Sequence, residues 1–446
     1  MNEQKLPMNK IFMFGAAVFA MHFGASCMLW PVTWGQQSGS SVLSAMVGIV
    51  LTAILLPFAA YVAIVRGEGS FYKLAERINK KFGFIFGSLT VLVLGPLFVI
   101  PRMSAAAWDA FVKVFDLNPD AMVPVVLFQI VYYLVAYWFL CQQGEILNKL
   151  GKYLTPILVV TVIAVVYKSL TNPLSEWMPK LYPESGFTYG FIGGYQTMDL
   201  PAALIYGAII INNLKEENVK GKGLLRGLLI VGAVGFFMLA CSHLSQMLVG
   251  ASTGYVYRDV SYARLYATVI LDLWGTVGGT LFNIALLFAA LTSAVGLGSG
   301  TAEFFEEASA GKWPYKKNAI ITLAVSALMA CVGLNSIIVI TAPILSLIYP
   351  PCIALVMGYI IMGNRNIPTI GGATIAAFGW GLIDCVIGYM GLAQMDTSGI
   401  MSIYSYMPGA DAGIAWVIPT LIGAAIGYFF FKDSEPKHNE TVLIEE

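Results

Sequence analysis

Apolar runs of about twenty residues, the length a helix needs to cross the hydrocarbon of a bilayer, recur from one end of this chain to the other. No other feature limits the fold as much, because backbone at membrane depth leaves the helix only where protein or a water-filled cavity satisfies its amides and carbonyls. Only 11% of the residues are charged and 58% are apolar, far from the roughly one-quarter charged of soluble domains. The expected class is an all-α polytopic membrane protein.

Counted between polar breaks, about twelve segments meet the length criterion. They run from Ile11 to Trp34, Ser41 to Val65, Phe84 to Trp108, Met122 to Cys141, Tyr153 to Leu170 and Phe191 to Asn213, then Leu224 to Val249, Thr276 to Gly300, Ala319 to Leu334, Ser336 to Ile361, Thr369 to Gly391 and Gly413 to Phe431. Lys5 and Lys10 precede the first segment, which reaches Trp34 without a small-residue cleavage site and is read as a retained span. An even count puts both termini on one side, and lysine and arginine set the direction. With a cytoplasmic N-terminus, the cytoplasmic side collects an about threefold excess of them, while Arg102, Lys113, Lys168, Lys180, Arg258 and Arg264 fall elsewhere. Both termini are thus expected inside.

The connections carry further expectations. Residues 67–82 are charged and amphipathic and read as a short cytoplasmic surface helix. The outer stretch from Ser252 to Gly275 has Tyr262, Leu265, Tyr266, Ile270 and Leu271 at helical spacing, as either a lid or a plain surface helix. The tail from Lys432 is polar and reads as disordered. No basic cluster indicates a nucleic-acid partner. Cys27, Cys141, Cys241, Cys331, Cys352 and Cys385 lie in apolar segments without the spacing of a disulfide framework or zinc site.

Two segments, the first and the sixth, are interrupted near their middles. The first reads Phe23-Gly24-Ala25-Ser26-Cys27 and the sixth Gly193-Gly194-Tyr195-Gln196-Thr197-Met198-Asp199-Leu200-Pro201. A pair of Gly- or Pro-interrupted segments at corresponding places in two halves points to a transporter's binding site. An unwound turn offers free N–H groups to a carboxylate and free carbonyls to an ammonium group or small cation. Gly24, Ala25, Ser26, Cys27, Gly194, Tyr195, Thr197 and Asp199 are therefore the expected solute-binding residues. The competing reading is close helix packing at the glycines.

Ala289, Thr292 and Ser293 share one helix face at i, i+3 and i+4, and two hydroxyls there suit a hard cation. The alternative is that the hydroxyls bond back to their own helix. Ionisable groups inside membrane segments are costly and mark function. Arg102, after Gly95-Pro96 and Pro101, is expected either to pair with Asp199 or to snorkel outward; His22 is a candidate titrating group or a structural histidine; Asp384 is given no role.

Taken together, Gly95-Pro96-Leu97-Phe98 with Pro101-Arg102, Thr197-Met198-Asp199 with Ala202-Ala203-Leu204 and Gly207, Leu291 to Leu297, Ala302-Glu303 and Tyr349-Pro350 resemble the bacterial branched-chain amino acid:cation symporter family. The resemblance implies a LeuT-like 5+5 inverted repeat, with residues 11–170 and 191–361 as the two halves, 369–431 as two peripheral helices and 432–446 as a cytoplasmic tail. It implies a single transporter domain in the bacterial plasma (inner) membrane that imports leucine, isoleucine or valine with Na+ or H+ as coupling ion and needs no cofactor. A Na+ would then sit among Thr292, Ser293, Ala289 and first-segment carbonyls near Ala20 and Phe23. The chain departs from the family where Ser26-Cys27 replaces a common Gly-Asn, and at Met103 and Trp108-Asp109. The alternative is accordingly a same-fold carrier for another amino acid or related small solute. A membrane-embedded enzyme would need clustered histidines and carboxylates, whereas His22, His243 and His438 are scattered along the chain. A channel would need a filter or charged ring that the sequence does not display.

Overall fold

The structure, a computed structural model, describes residues 6–431 except 68, 119–120, 142–144 and 261. The expected polar tail lies outside the described residues. Every regular element among the described residues is helical, and every expected apolar segment coincides with helix. Among the described residues, seven helices are long and apolar enough to cross a membrane, or eight if the bent pair Gly186–Thr197 and Asp199–Glu216 is one span. The difference from the expected count has a physical origin. The first segment is divided into Met8–His22 and Ala25–Ser38, the second half running on into the second segment, the ninth and twelfth form the short helices Tyr315–Ala330 and Val417–Phe430, and the fifth counts only over Val159–Thr171.

Leu334, assigned above to the ninth segment, instead opens the tenth helix, Leu334–Met362. Gly333 before it holds φ +91°, a left-handed conformation that glycine adopts without steric cost and that stops one helix before the next. The amphipathic stretch at 67–82 is shorter than expected. Its helix is Phe71–Glu76, capped by Ser70 accepting the Lys73 N–H, and Asn79 caps the next helix, Lys80–Leu92. The outer stretch forms a helix from Tyr262 that buries Leu265, Tyr266, Val269 and Ile270 and turns at Gly275 into the eighth segment.

Small residues set how closely the segments approach. Ala25–Ser38 crosses the seventh-segment helix Lys222–Ala251 backbone to backbone: a Cβ on Gly35 would collide with the Met247 carbonyl, and one on Gly250 with that of Val32. Gly35→Ala therefore destabilises the protein by about 1–3 kcal/mol, the usual cost of overpacking, read as a lower unfolding midpoint of the detergent-purified protein. Gly379→Ala, with nothing within 4 Å of the added carbon, leaves it unchanged. Equal midpoints for the two variants would contradict this account of the crossing.

Candidate solute site between the broken helices

The first break is a local rearrangement of hydrogen bonds. Helix Met8–His22 stops, Gly24 is extended at φ −81°, ψ 179°, and Ala25–Ser38 begins. The Gly24 N–H donates to the His22 carbonyl at 2.9 Å, and the Cys27 thiol donates to the same oxygen at 3.1 Å. Cys27 thus satisfies a carbonyl that the interruption releases. Ala25 and Ser26 start the new helix, where N–H groups have no intrahelical partner.

The second break turns at a different residue from the glycines. Gly194 keeps right-handed helical angles, and its missing side chain makes room for Thr52, onto which a Cβ would collide. The reversal falls on Met198 at φ +60°, ψ 18°, between the short helix Gly194–Thr197 and Asp199–Glu216. A non-glycine residue in this region costs about 1–3 kcal/mol and collects at functional sites. The packing reading therefore holds for Gly194, while the break itself is real.

Both breaks open on one buried cavity. Gly24, Ser26 and Cys27 line it from the first, Thr197, Met198 and Asp199 from the second, with His22 and Tyr206 beside them. Of the remaining expected solute residues, Ala25 is buried outside the lining, and Tyr195 stacks on Tyr349 with ring centroids 4.2 Å apart. The cavity offers about 10 Å³, room for about one water molecule, so the site is shut in this conformation.

Asp199 is not paired with Arg102, as the sequence suggested. Its Oδ1 accepts from His22 Nδ1 at 2.9 Å, and His22 Nε2 lies 3.3 Å from the Tyr61 hydroxyl. With Nδ1 protonated, Nε2 accepts the Tyr61 hydroxyl proton. The reason for the exchange is placement: His22 ends the first half-helix just where Asp199 starts the second, while Asp199 Oδ2 is left without a partner. Arg102 does not snorkel either. It is 2% exposed, its three guanidinium nitrogens have no hydrogen-bond partner, and its Cζ lies 5.8 Å from the centroid of the Trp30 ring. Val99 and Met103, one turn apart on its helix, line the cavity, and Arg102 lies between them in sequence without itself lining it.

The expected cation residues divide. Ser293 Oγ is buried and unpartnered, and a Cβ on Gly24 would meet it at 2.8 Å, so it faces the first break. Thr292 Oγ1 instead donates to the Ala289 carbonyl at 3.0 Å, the back-bonded arrangement. Phe23 is fully buried and stacks on Phe19 at 4.7 Å, and Ala20 is half-buried on the helix before the break.

Several features escaped the sequence reading. The third segment is also interrupted: Gly95 leaves the helix at φ −89°, ψ −113°, and Leu94 and Val99 flank the gap on the cavity. The Gly95-Pro96 pair carried that signal, since proline removes a helix hydrogen bond and restricts the residue before it. His243, distant in sequence, comes beside Cys27 and Asp199. Helical spacing cannot reveal a meeting of this kind between separate segments.

Residues 7–434 match the family described as branched-chain amino acid transport protein. This chain belongs to that family. It is 29% identical over 442 residues to the branched-chain amino acid permease BrnQ of Bacillus subtilis, covering 96% of this chain and 98% of that protein. Its backbone is similar to Mhp1, a nucleobase-cation-symport-1 family transporter, in a closed conformation with bromovinylhydantoin bound, at TM-score 0.64 and 14% identity over 94% of this chain and 91% of that one. It is also similar to MhsT in complex with L-phenylalanine, at TM-score 0.57 and 16% identity over 96% and 99%. The family member described here thus has the LeuT-like fold, and is a multi-pass membrane transporter and not an enzyme.

Proposed function

We propose that the chain is a secondary active symporter that carries a small branched-chain amino acid, leucine, isoleucine or valine, into a bacterial cell across the plasma membrane, with both termini cytoplasmic. The observation that carries this reading is an unpaired anionic group on the cavity and an unpaired cationic group on a helix that lines it: Asp199, with Oδ2 free, and Arg102, buried with all three nitrogens free. Leaving such groups unpaired in a low-dielectric interior is heavily penalised. An α-amino acid supplies both partners at once, its carboxylate to Arg102 and its ammonium to Asp199. The two breaks add N–H groups and carbonyls at the same place, and Leu94, Val99 and Met103 offer an apolar wall to a branched side chain. Ser26 and Cys27 lie on this lining, so they tune which side chain fits.

Coupling to Na+ is favoured by Ser293, whose free hydroxyl faces the first break. Thr292 would release Ala289 to complete the ion's oxygen shell. A proton as the coupling ion is the second reading, favoured by the buried His22–Asp199 pair, which can exchange a proton as the site opens. Alternating access would proceed by rocking of one group of segments against the other around this point. The lid reading of the outer helix is supported by its contacts to the first and third segments. Its Tyr262 N–H donates to Thr33 of the first segment at 2.8 Å, and its Arg264 reaches Asp109 of the third at 3.4 Å.

The test is uptake of labelled leucine, isoleucine and valine by proteoliposomes under imposed Na+ or proton gradients. A Na+ gradient drives accumulation, and Thr292→Ala with Ser293→Ala weakens Na+ dependence more than solute recognition. Accumulation driven by the proton gradient alone would select the second reading. Failure of both gradients to drive any of the three would overturn the symporter.

A further inference from the structure

Three side chains from different segments converge beside the second break. Cys27 Sγ, a carboxylate oxygen of Asp199 and a ring nitrogen of His243 lie within 4.8 Å of one another, and all three residues are buried. His243 and Asp199 are held as metal ligands are held. His243 Nδ1 donates to the Leu239 carbonyl at 2.9 Å, which fixes the tautomer with a lone pair on Nε2, and Nε2 has no partner. Asp199 Oδ1 is fixed by His22, and Oδ2 has no partner. Ligating histidines almost always donate their other N–H to a carbonyl or carboxylate, and ligating carboxylates are themselves hydrogen-bonded. Two buried acceptors on neighbouring residues are thus left without a donor, which is costly in an interior, and a cation shared by the cluster removes both deficits.

We infer that Cys27, Asp199 and His243 bind one borderline-soft divalent cation of the Zn2+ class. A sulfur and an imidazole nitrogen select this class over Na+, Mg2+ or Ca2+, which prefer oxygen ligands. Three protein ligands leave one position of a tetrahedron for water. That position opens on the cavity, which Cys27 and Asp199 line. The thiol that now donates to the His22 carbonyl binds as thiolate, its proton passing to solvent, since coordination deprotonates a thiol outright.

Titration of the purified, metal-stripped full-length protein with Co2+ tests the site, and Zn2+ competition gives its affinity. The expected result is one ion per chain with tetrahedral cobalt bands and a thiolate-to-cobalt charge-transfer band, all bleached by Zn2+. Cys27→Ser removes the charge-transfer band, and His243→Gln weakens binding at least about 100-fold, since even losing the group behind a ligand costs about 10–100-fold. Cys141→Ser and Cys241→Ser, at exposed thiols, leave the spectrum unchanged. Absence of a charge-transfer band from the unaltered protein overturns the proposal whatever the variants do. So does a band that survives Cys27→Ser, or unchanged affinity in a folded His243→Gln protein. None of these readouts involves uptake, so this site and the transport reading fail separately; both use Asp199, so the ion and a solute's ammonium hold its free oxygen in turn, not together.

Discussion

Asp199→Asn lowers the affinity for leucine by at least about 30-fold, because truncating one partner of a buried, hydrogen-bonded charge pair costs about 2–5 kcal/mol. The substitution keeps the shape and can still accept from His22 Nδ1, now at 2.9 Å from Oδ1. It removes the charge that Oδ2 presents to the solute's ammonium. It also removes a negative charge from the first turn of Asp199–Glu216, where the helix dipole favours one. The variant therefore folds but binds poorly, which equilibrium binding of labelled leucine to purified protein measures directly. Leucine affinity within about threefold of the unaltered protein, less than the lower end of that cost, would place the ammonium elsewhere.

Arg102 produces an opposite pair of effects on binding and stability. Its guanidinium is buried beside Trp30 with no hydrogen-bond partner, so the protein without solute bears the cost of an uncompensated charge. Replacing such a group by an apolar one of similar size is often neutral or stabilising, by about 1–4 kcal/mol. Arg102→Met accordingly raises the unfolding midpoint in the absence of solute. At the same time it abolishes the further rise that leucine gives the unaltered protein by mass action. Arg102→Lys does not restore binding, because an ammonium lacks the planar fork that grips a carboxylate through two parallel bonds. Arg102→Met with a lower midpoint and intact leucine stabilisation would show the arginine to be structural.

Much of this arrangement is legible in the residues themselves, and the limits of that legibility have physical causes. Apolar runs of about twenty residues predict the long helices, since hydrocarbon admits only helices and closed barrels and a barrel strand is about half that length. Phe23-Gly24 and the polar run ending at Asp199 locate both breaks, and the spacing of Leu265, Tyr266 and Ile270 predicts the outer helix. Partnership across segments is a different matter. The sequence suggests Arg102 as the partner of Asp199, and only the relative placement of the half-helix ends brings His22 there instead. The hydroxyls of Thr292 and Ser293 are equivalent by spacing, yet one bonds back to Ala289 and the other faces Gly24. Met198 carries the left-handed turn although a glycine pair lies four residues earlier. There the demand for close approach to Thr52 takes the glycine, and tertiary packing holds the strained residue.

That Arg102 and Asp199 grip the two ends of a zwitterion is tested most directly by competition for labelled leucine on the purified protein, using two analogues. One, 4-methylpentanoate, lacks the ammonium, and the other, 3-methylbutylamine, lacks the carboxylate. Leucine competes, each analogue is weaker by at least about 30-fold, and Asp199→Asn and Arg102→Met each erase the advantage of the group they would have paired. An analogue that competes as well as leucine, or a leucine that does not bind, would contradict the account.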